Sequence, residues 1–211
     1  MKSDIVRVKN SGEGMQAALH AASASAVYCG LEKKAAIRLQ LLAEEMLGMI
    51  RQITHETQAD FWVEAENGCF ELHLIAHPTI TGKMRRELLD ASTSGKNEAA
   101  KGFMGKIRDI FDRALIMADP DDVAGYYTQG FIMPAGMFIG DPMTYEASAG
   151  LLTWSMKHYK STIEGESEQN ADAKEEWDEL EKSIVANLAD EIKIAIAGDK
   201  VEMIVYKTFD K

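Results

Sequence analysis

The chain has 211 residues, 46% hydrophobic and 27% charged, with Pro 4 and Cys 2, a composition that excludes a disordered segment, a collagen-like chain and a disulfide scaffold. Lys+Arg 23 against Asp+Glu 34 leaves a net charge of -11. That is the wrong sign for generic binding to nucleic acid or to an anionic membrane, since both need a cationic surface.

The charge is unevenly spread. Between Glu164 and Glu191 eleven acids stand against Lys174 and Lys182, whereas Lys83 to Arg113 holds eight Lys/Arg against five Asp/Glu. Cys29 and Cys69 have no metal-binding spacing and suit a reducing cytoplasm. No apolar leader occupies Met1 to Asn10, and no run reaches the ~18 apolar residues that span a bilayer. A cytoplasmic protein is expected, folded as a single domain over 1–211.

In chain order, Asp4 to Lys9 reads as a strand, ended by turn residues at Asn10, Ser11, Gly12 and Gly14. Met15 to Tyr28 follows a 3.6 period through Met15, Ala18, Leu19, Ala22, Ala26 and Val27, and Gly30 stops it. A stronger helix runs from Lys33 to about Ile53 on Leu39, Leu42, Met46, Met49 and Ile50. Asp60 to Glu66 and Cys69 to His77 alternate on either side of Asn67-Gly68, the preferred pair of a type I′ hairpin turn.

Thr79 to Lys101 is polar and reads as a long loop or lid, before a helix from about 102 to 117. Residues 119–160 are punctuated by Gly and Pro, and a helix is expected near Tyr145 to Tyr159. Ser161 to Ala171 reads as a surface loop. Asp172 then caps a helix, with Glu175 at the capping-box position and Ala173, Trp177, Leu180, Ile184 and Leu188 as its buried stripe. Glu191 to Ala197 and Lys200 to Thr208 form a second hairpin about Gly198-Asp199.

Several motifs fail on chemistry. Gly12-x-Gly14-x-x-Ala17, with Glu32 further on, matches a dinucleotide fingerprint, but residues 32–53 are helical and the βαβ unit does not close. A Walker A loop fails because Asn97 follows Gly95-Lys96 and Asp90 stands where its first glycine belongs. His73 and His77 lie on one strand face about 13 Å apart, too far for one ion, so a polar outer face accounts for them. No GxSxG motif supports nucleophilic catalysis.

The long helix from Leu39 to Ile50, the Asn-Gly hairpin, the polar lid and the LysGlyPheMetGlyLysIle segment at 101–107 resemble a degenerate GHKL-type ATPase domain. That superfamily includes histidine kinases and anti-sigma-factor serine kinases. The resemblance covers 4–117 with 190–208 as closing strands, and leaves 118–172 as an insert with an apolar, Met/Gly-rich segment at 130–140.

It implies an α/β (α+β) two-layer sandwich with a mixed, mostly antiparallel sheet and helices on one face. It also implies ATP and Mg²⁺ as ligands, with Glu45 as catalytic base of the family's Glu-x-x-x-Asn box. Met49 replaces the Asn, and a thioether cannot replace a hard oxygen ligand. Ala76 to Ile80 stands where the family has Asp-x-Gly-x-Gly. The phosphate corner would be Lys96, Asn97, Lys101, Gly102, Gly105 and Lys106, with backbone amides at a helix start. The implied function is a degenerate ATP-binding regulatory protein, a kinase or ATPase in class. The alternative is a catalytically inactive protein-interaction module. A regulatory protein and a second copy of the chain are the expected partners.

Overall fold

The structure is a computed structural model that describes residues 1–52, 57–78, 143–146, 151–166, 171–197 and 200–209. The lid, the helix expected over 102–117, the segment 130–140 and the 198–199 turn lie outside the described residues. Elements are numbered over the described chain.

β1 spans Val6–Lys9, two residues shorter at its start than expected, and turns directly into α1, Met15–Tyr28. Gly14 makes that turn with φ 80, and a Cβ there would lie 2.0 Å from the Arg7 carbonyl oxygen. Close backbone approach therefore requires this glycine. α1 buries Met15, Ala18, Ala22, Ser25 and Ala26, a face of mostly small side chains that lets α2 pack closely on it. Val27 was expected in that stripe but is 77% exposed, because Ala26 takes the inward position and the next residue rotates outward.

α2 spans Lys33–Gln52 and buries Leu39, Leu42, Ala43, Met46, Leu47, Met49 and Ile50. Each large side chain withdrawn from water contributes ~1.5–3 kcal/mol, so packing holds this helix far more than propensity does.

β2 (Thr57–Glu66) and β3 (Cys69–Pro78) form the expected hairpin, with Asn67 at φ 52 and Gly68 at φ 85 as a type I′ turn needs. β4 (Met143–Glu146) and β5 (Leu151–Ser155) pair with each other. Here the expectation of a helix from Tyr145 is overturned. The helix α3 starts only at Met156 and runs to Glu166, through residues expected to be loop. The β-branched and aromatic content of LeuLeuThrTrp suits a strand, and Ser155 begins the helix after it.

α4 (Ala171–Lys182) starts one residue before Asp172, which puts that residue in the first turn and not at the cap. The expected continuous stripe also breaks at Ser183, whose side chain accepts a hydrogen bond from the Ala186 amide and caps the short α5, Ile184–Leu188. The new phase sends Val185 and Ala186 inward and leaves Ile184 50% exposed. β6 (Glu191–Ala197) and β7 (Lys200–Thr208) have the expected bounds.

The strands form one seven-stranded sheet in the order β1-β2-β3-β7-β6-β5-β4. A mixed sheet was expected, but every described pair is antiparallel. For β1 and β2 the reason is the helix pair between them. α1 and α2 form an antiparallel hairpin that returns the chain to the end of the sheet it left, so β2 runs back along β1. The same pairing removes the dinucleotide reading of Gly12, Gly14, Ala17 and Glu32, which needs a parallel second strand.

Phe61, Val63, Phe70, Leu72, Leu74, Ile192, Ile194, Val201, Met203 and Val205 face the helices and join them in one core. Among the described residues no helix is long and apolar enough to cross a membrane.

Candidate functional site

Glu45, the expected catalytic base, is half-buried on α2. Met49, one turn further along the same face, is 5% exposed and packed in the core beside Met46 and Ile50. Lys96, Asn97, Lys101, Gly102, Gly105 and Lys106 lie outside the described residues.

A second group of chemistry-bearing side chains gathers on the opposite face of the sheet. The hairpin register sets Trp62 opposite His73 and Glu64 opposite Glu71, and β7 sets Tyr206 opposite Glu71. Trp62 and His73 stack with ring centroids 4.6 Å apart and planes 6° from parallel. Both are buried, at 8% and 7% exposure, on a face whose rim of carboxylates is open to water. The ring of His73 lies between two acids. Nδ1 is 3.3 Å from Glu202 Oε1 and Nε2 is 3.3 Å from Glu71 Oε2. Only the Glu202 contact has hydrogen-bond geometry, and His73 Nε2 is buried without a hydrogen-bond partner.

The flanks of this group hold cations. Lys2 Nζ donates to Glu64 Oε1 at 2.8 Å and lies 4.8 Å from the centre of the Trp62 ring, while Trp62 Nε1 donates to the same Glu64 oxygen. The hydrogen bonds from Lys2 and Trp62 hold the Glu64 carboxyl below its ordinary value. On the other side Lys193 Nζ sits 5.4 Å over the Tyr206 ring. Burial, then the charges of Glu71 and Glu202, push the Tyr206 hydroxyl up. Among the described residues no group of three or more His, Cys, Asp and Glu side chains is arranged to hold a metal ion.

Glu191 is also buried but is fully engaged. It accepts from Ser155 Oγ at 3.0 Å, from the Lys157 amide at 3.2 Å and from its own neighbour's amide at Ile192, 2.9 Å away. It binds the start of α3 to β6, where the helix N-terminus favours negative charge. That use is structural.

His73 stands on the outer face that the alternation predicts, but it is buried there against Trp62. The Asn67-Gly68 turn already fixes Trp62 against His73 and Glu64 against Glu71, so half of the cluster was readable from the hairpin register. Glu202 and Tyr206 were not, because the pairing of β3 with β7 joins segments more than a hundred residues apart. The chain matches no family model, no curated protein and no solved structure.

Proposed function

We propose that the chain is a regulatory protein-binding module on a degenerate ATPase-like scaffold, without magnesium-dependent turnover. The observation that carries this reading is Met49. The resemblance assigns its position to the oxygen ligand of Mg²⁺, and here that side chain is a buried thioether in the hydrophobic core. A helix face committed to packing in this way offers no hard ligand to a metal nucleotide.

The reading is tested by melting the protein with and without ATP and Mg²⁺. The expected result is no rise in melting temperature at millimolar nucleotide, because a ligand that binds only the folded state stabilises it as the logarithm of its concentration. A concentration-dependent rise, with phosphate release that Glu45→Ala abolishes, would overturn it.

That outcome would favour the second reading, a degenerate ATP-binding regulatory protein. Its support is Glu45 itself, a half-buried carboxylate one turn before Met49. There Glu45 would act as general base, with Lys96, Asn97, Lys101, Gly102, Gly105 and Lys106 holding the nucleotide.

A further inference from the structure

The face of α2 turned away from the core is not polar throughout. At about 100° per residue, which follows from 3.6 residues per turn, Ile37 and Leu41 each stand about 160° from the buried Leu39. They are 50% and 36% exposed, one turn apart on the same stripe. Gly48 continues that stripe, and among the described residues nothing lies within 4 Å of a Cβ placed on it. Val27 and Tyr28, at the end of α1 and a short turn before α2, are 77% and 78% exposed. Single exposed apolar side chains are ordinary, but four of the seven large ones among the described residues fall on this one helical hairpin.

The charges beside the stripe are ordered along it. Lys33 and Lys34 open α2, and Glu44 and Glu45 follow about 16 Å further up the axis at about 1.5 Å per residue. Among the described residues none of the four is in an ion pair. The N-terminal end of a helix carries positive partial charge, so the two lysines stand against the field of their own helix. The pattern is complementary to a reversed copy of itself.

We propose that the outer face of α2 packs antiparallel against α2 of a second copy of the chain, about a two-fold axis level with Leu39. That axis is two residues from Ile37 and from Leu41, which meet across it, and five or six residues from Lys33, Lys34, Glu44 and Glu45 alike. Ile37 therefore lies on the partner's Leu41, and the Lys33-Lys34 end lies on the partner's Glu44 and the partner's Glu45. A two-fold interface makes each of these contacts twice. A parallel pairing would set lysine on lysine and glutamate on glutamate, so the charge order selects the antiparallel one.

The size of the face sets the strength. Helices about 10 Å wide and about 21 Å and 30 Å long give the α1-α2 hairpin an outer face of roughly 500 Å² per copy, or about 1,000 Å² for the pair, the lower limit for a specific interface. A dimer of micromolar affinity is expected, opposed at long range by the charge of -11 on each copy. This goes beyond the binding-module reading and does not depend on it.

The test is sedimentation velocity on the full chain at physiological salt, where a screening length of about 8 Å limits the long-range repulsion. The sedimenting species is expected to pass from monomer toward dimer between micromolar and several hundred micromolar protein. Ile37→Ser/Leu41→Ser is expected to weaken association about tenfold or more. Lys33→Glu/Lys34→Glu and Glu44→Lys/Glu45→Lys should each weaken it when alone, since like charges then meet at both ends. An equimolar mixture of the two should recover it, because opposite charges meet again in the mixed pair. The lysine replacement puts acids at a helix N-terminus, so it is expected to leave the melting temperature unchanged or raised, and a lost dimer there is not a lost fold. Should Glu44→Lys/Glu45→Lys fail to fold, the exposed Glu44→Lys alone takes its place in the mixture.

A chain that stays monomeric across that range would overturn the proposal. So would a dimer that Ile37→Ser/Leu41→Ser leaves intact, since it would form through another surface. A mixture of the two charge variants that does not recover would overturn the antiparallel register and with it the proposal. ATP-dependent stabilisation or turnover bears on the proposed function alone and leaves this interface standing or falling by its own measurement.

Discussion

The two faces of the sheet solve different physical problems with the same strands. On the inner face Phe61, Val63, Leu72, Leu74, Met203 and Val205 are apolar and fully buried, and the face is closed by α1, α2 and the helices that follow β5. On the outer face the intervening residues include Trp62, Glu64, Glu71, His73, Glu202 and Tyr206, with Ile75 and Ile204 among them. Alternation along each strand separates the two sets, since successive side chains point to opposite sides. The contrast teaches that burial and satisfaction are separate properties. Phe61 and His73 are both buried, but only His73 carries a polar atom that the burial leaves without a partner.

The largest expected effect sharpens the inner side of the contrast. Phe61→Ala should destabilise the fold by ~3–5 kcal/mol, seen as a lower urea midpoint with an unchanged slope. A loss under about 1 kcal/mol would mean that the inner face is not the core.

An intermediate effect is expected at the sheet end. Glu191→Ala leaves the Lys157 and Ile192 amides without their acceptor at a buried position, and should cost ~1–3 kcal/mol by the same measurement. Because the damage sits at the start of α3, hydrogen exchange should rise in that helix before it rises in β2 and β3.

The smallest expected effect belongs to the outer face and depends on pH. The Glu64 carboxyl lies below its ordinary 4.5 in the folded protein, held down first by the hydrogen bond from Lys2. A group depressed by folding stabilises above its unfolded value, and that contribution is lost as the pH falls through the folded value. Lys2→Met should therefore be slightly less stable than the parent at neutral pH and equal to it in acid. Both partners are well exposed, so salt should shrink the difference. A gap that persists in acid would assign the effect to packing of the Lys2 stem on Trp62.

Local signals carried much of the architecture. The 3.6 period located α1 at its observed bounds and α2 to within a residue, because each pattern is long and belongs to one helix. Asn67-Gly68 located the first hairpin, since that pair accepts the positive φ angles of the turn. The pattern misled where elements are short. Residues 143–159 contain two strands of four and five residues and then a helix, and a spacing rule applied over the whole window blurred them into one helix. The break at Ser183 was equally hidden, because one serine can either sit in a helix or cap a new one.

Of the two sites, Glu45 was readable as a carboxylate on the edge of an apolar helix face, and its half-burial agrees with that position. The outer-face cluster was readable only up to the partners fixed by the hairpin turn.

The amino-acid sequence by itself determined α1, α2, the hairpins β2-β3 and β6-β7 and which side of each of those strands is apolar, all of which follow from periodicity and from the φ angles that Asn and Gly tolerate. Only the tertiary structure decided that the sheet is antiparallel throughout and that β3 lies beside β7. It alone decided that His73 is caught between Glu71 on its own strand and Glu202 on a distant one. Strand order is set by which apolar faces can be buried together, a property of the whole chain that local spacing does not encode.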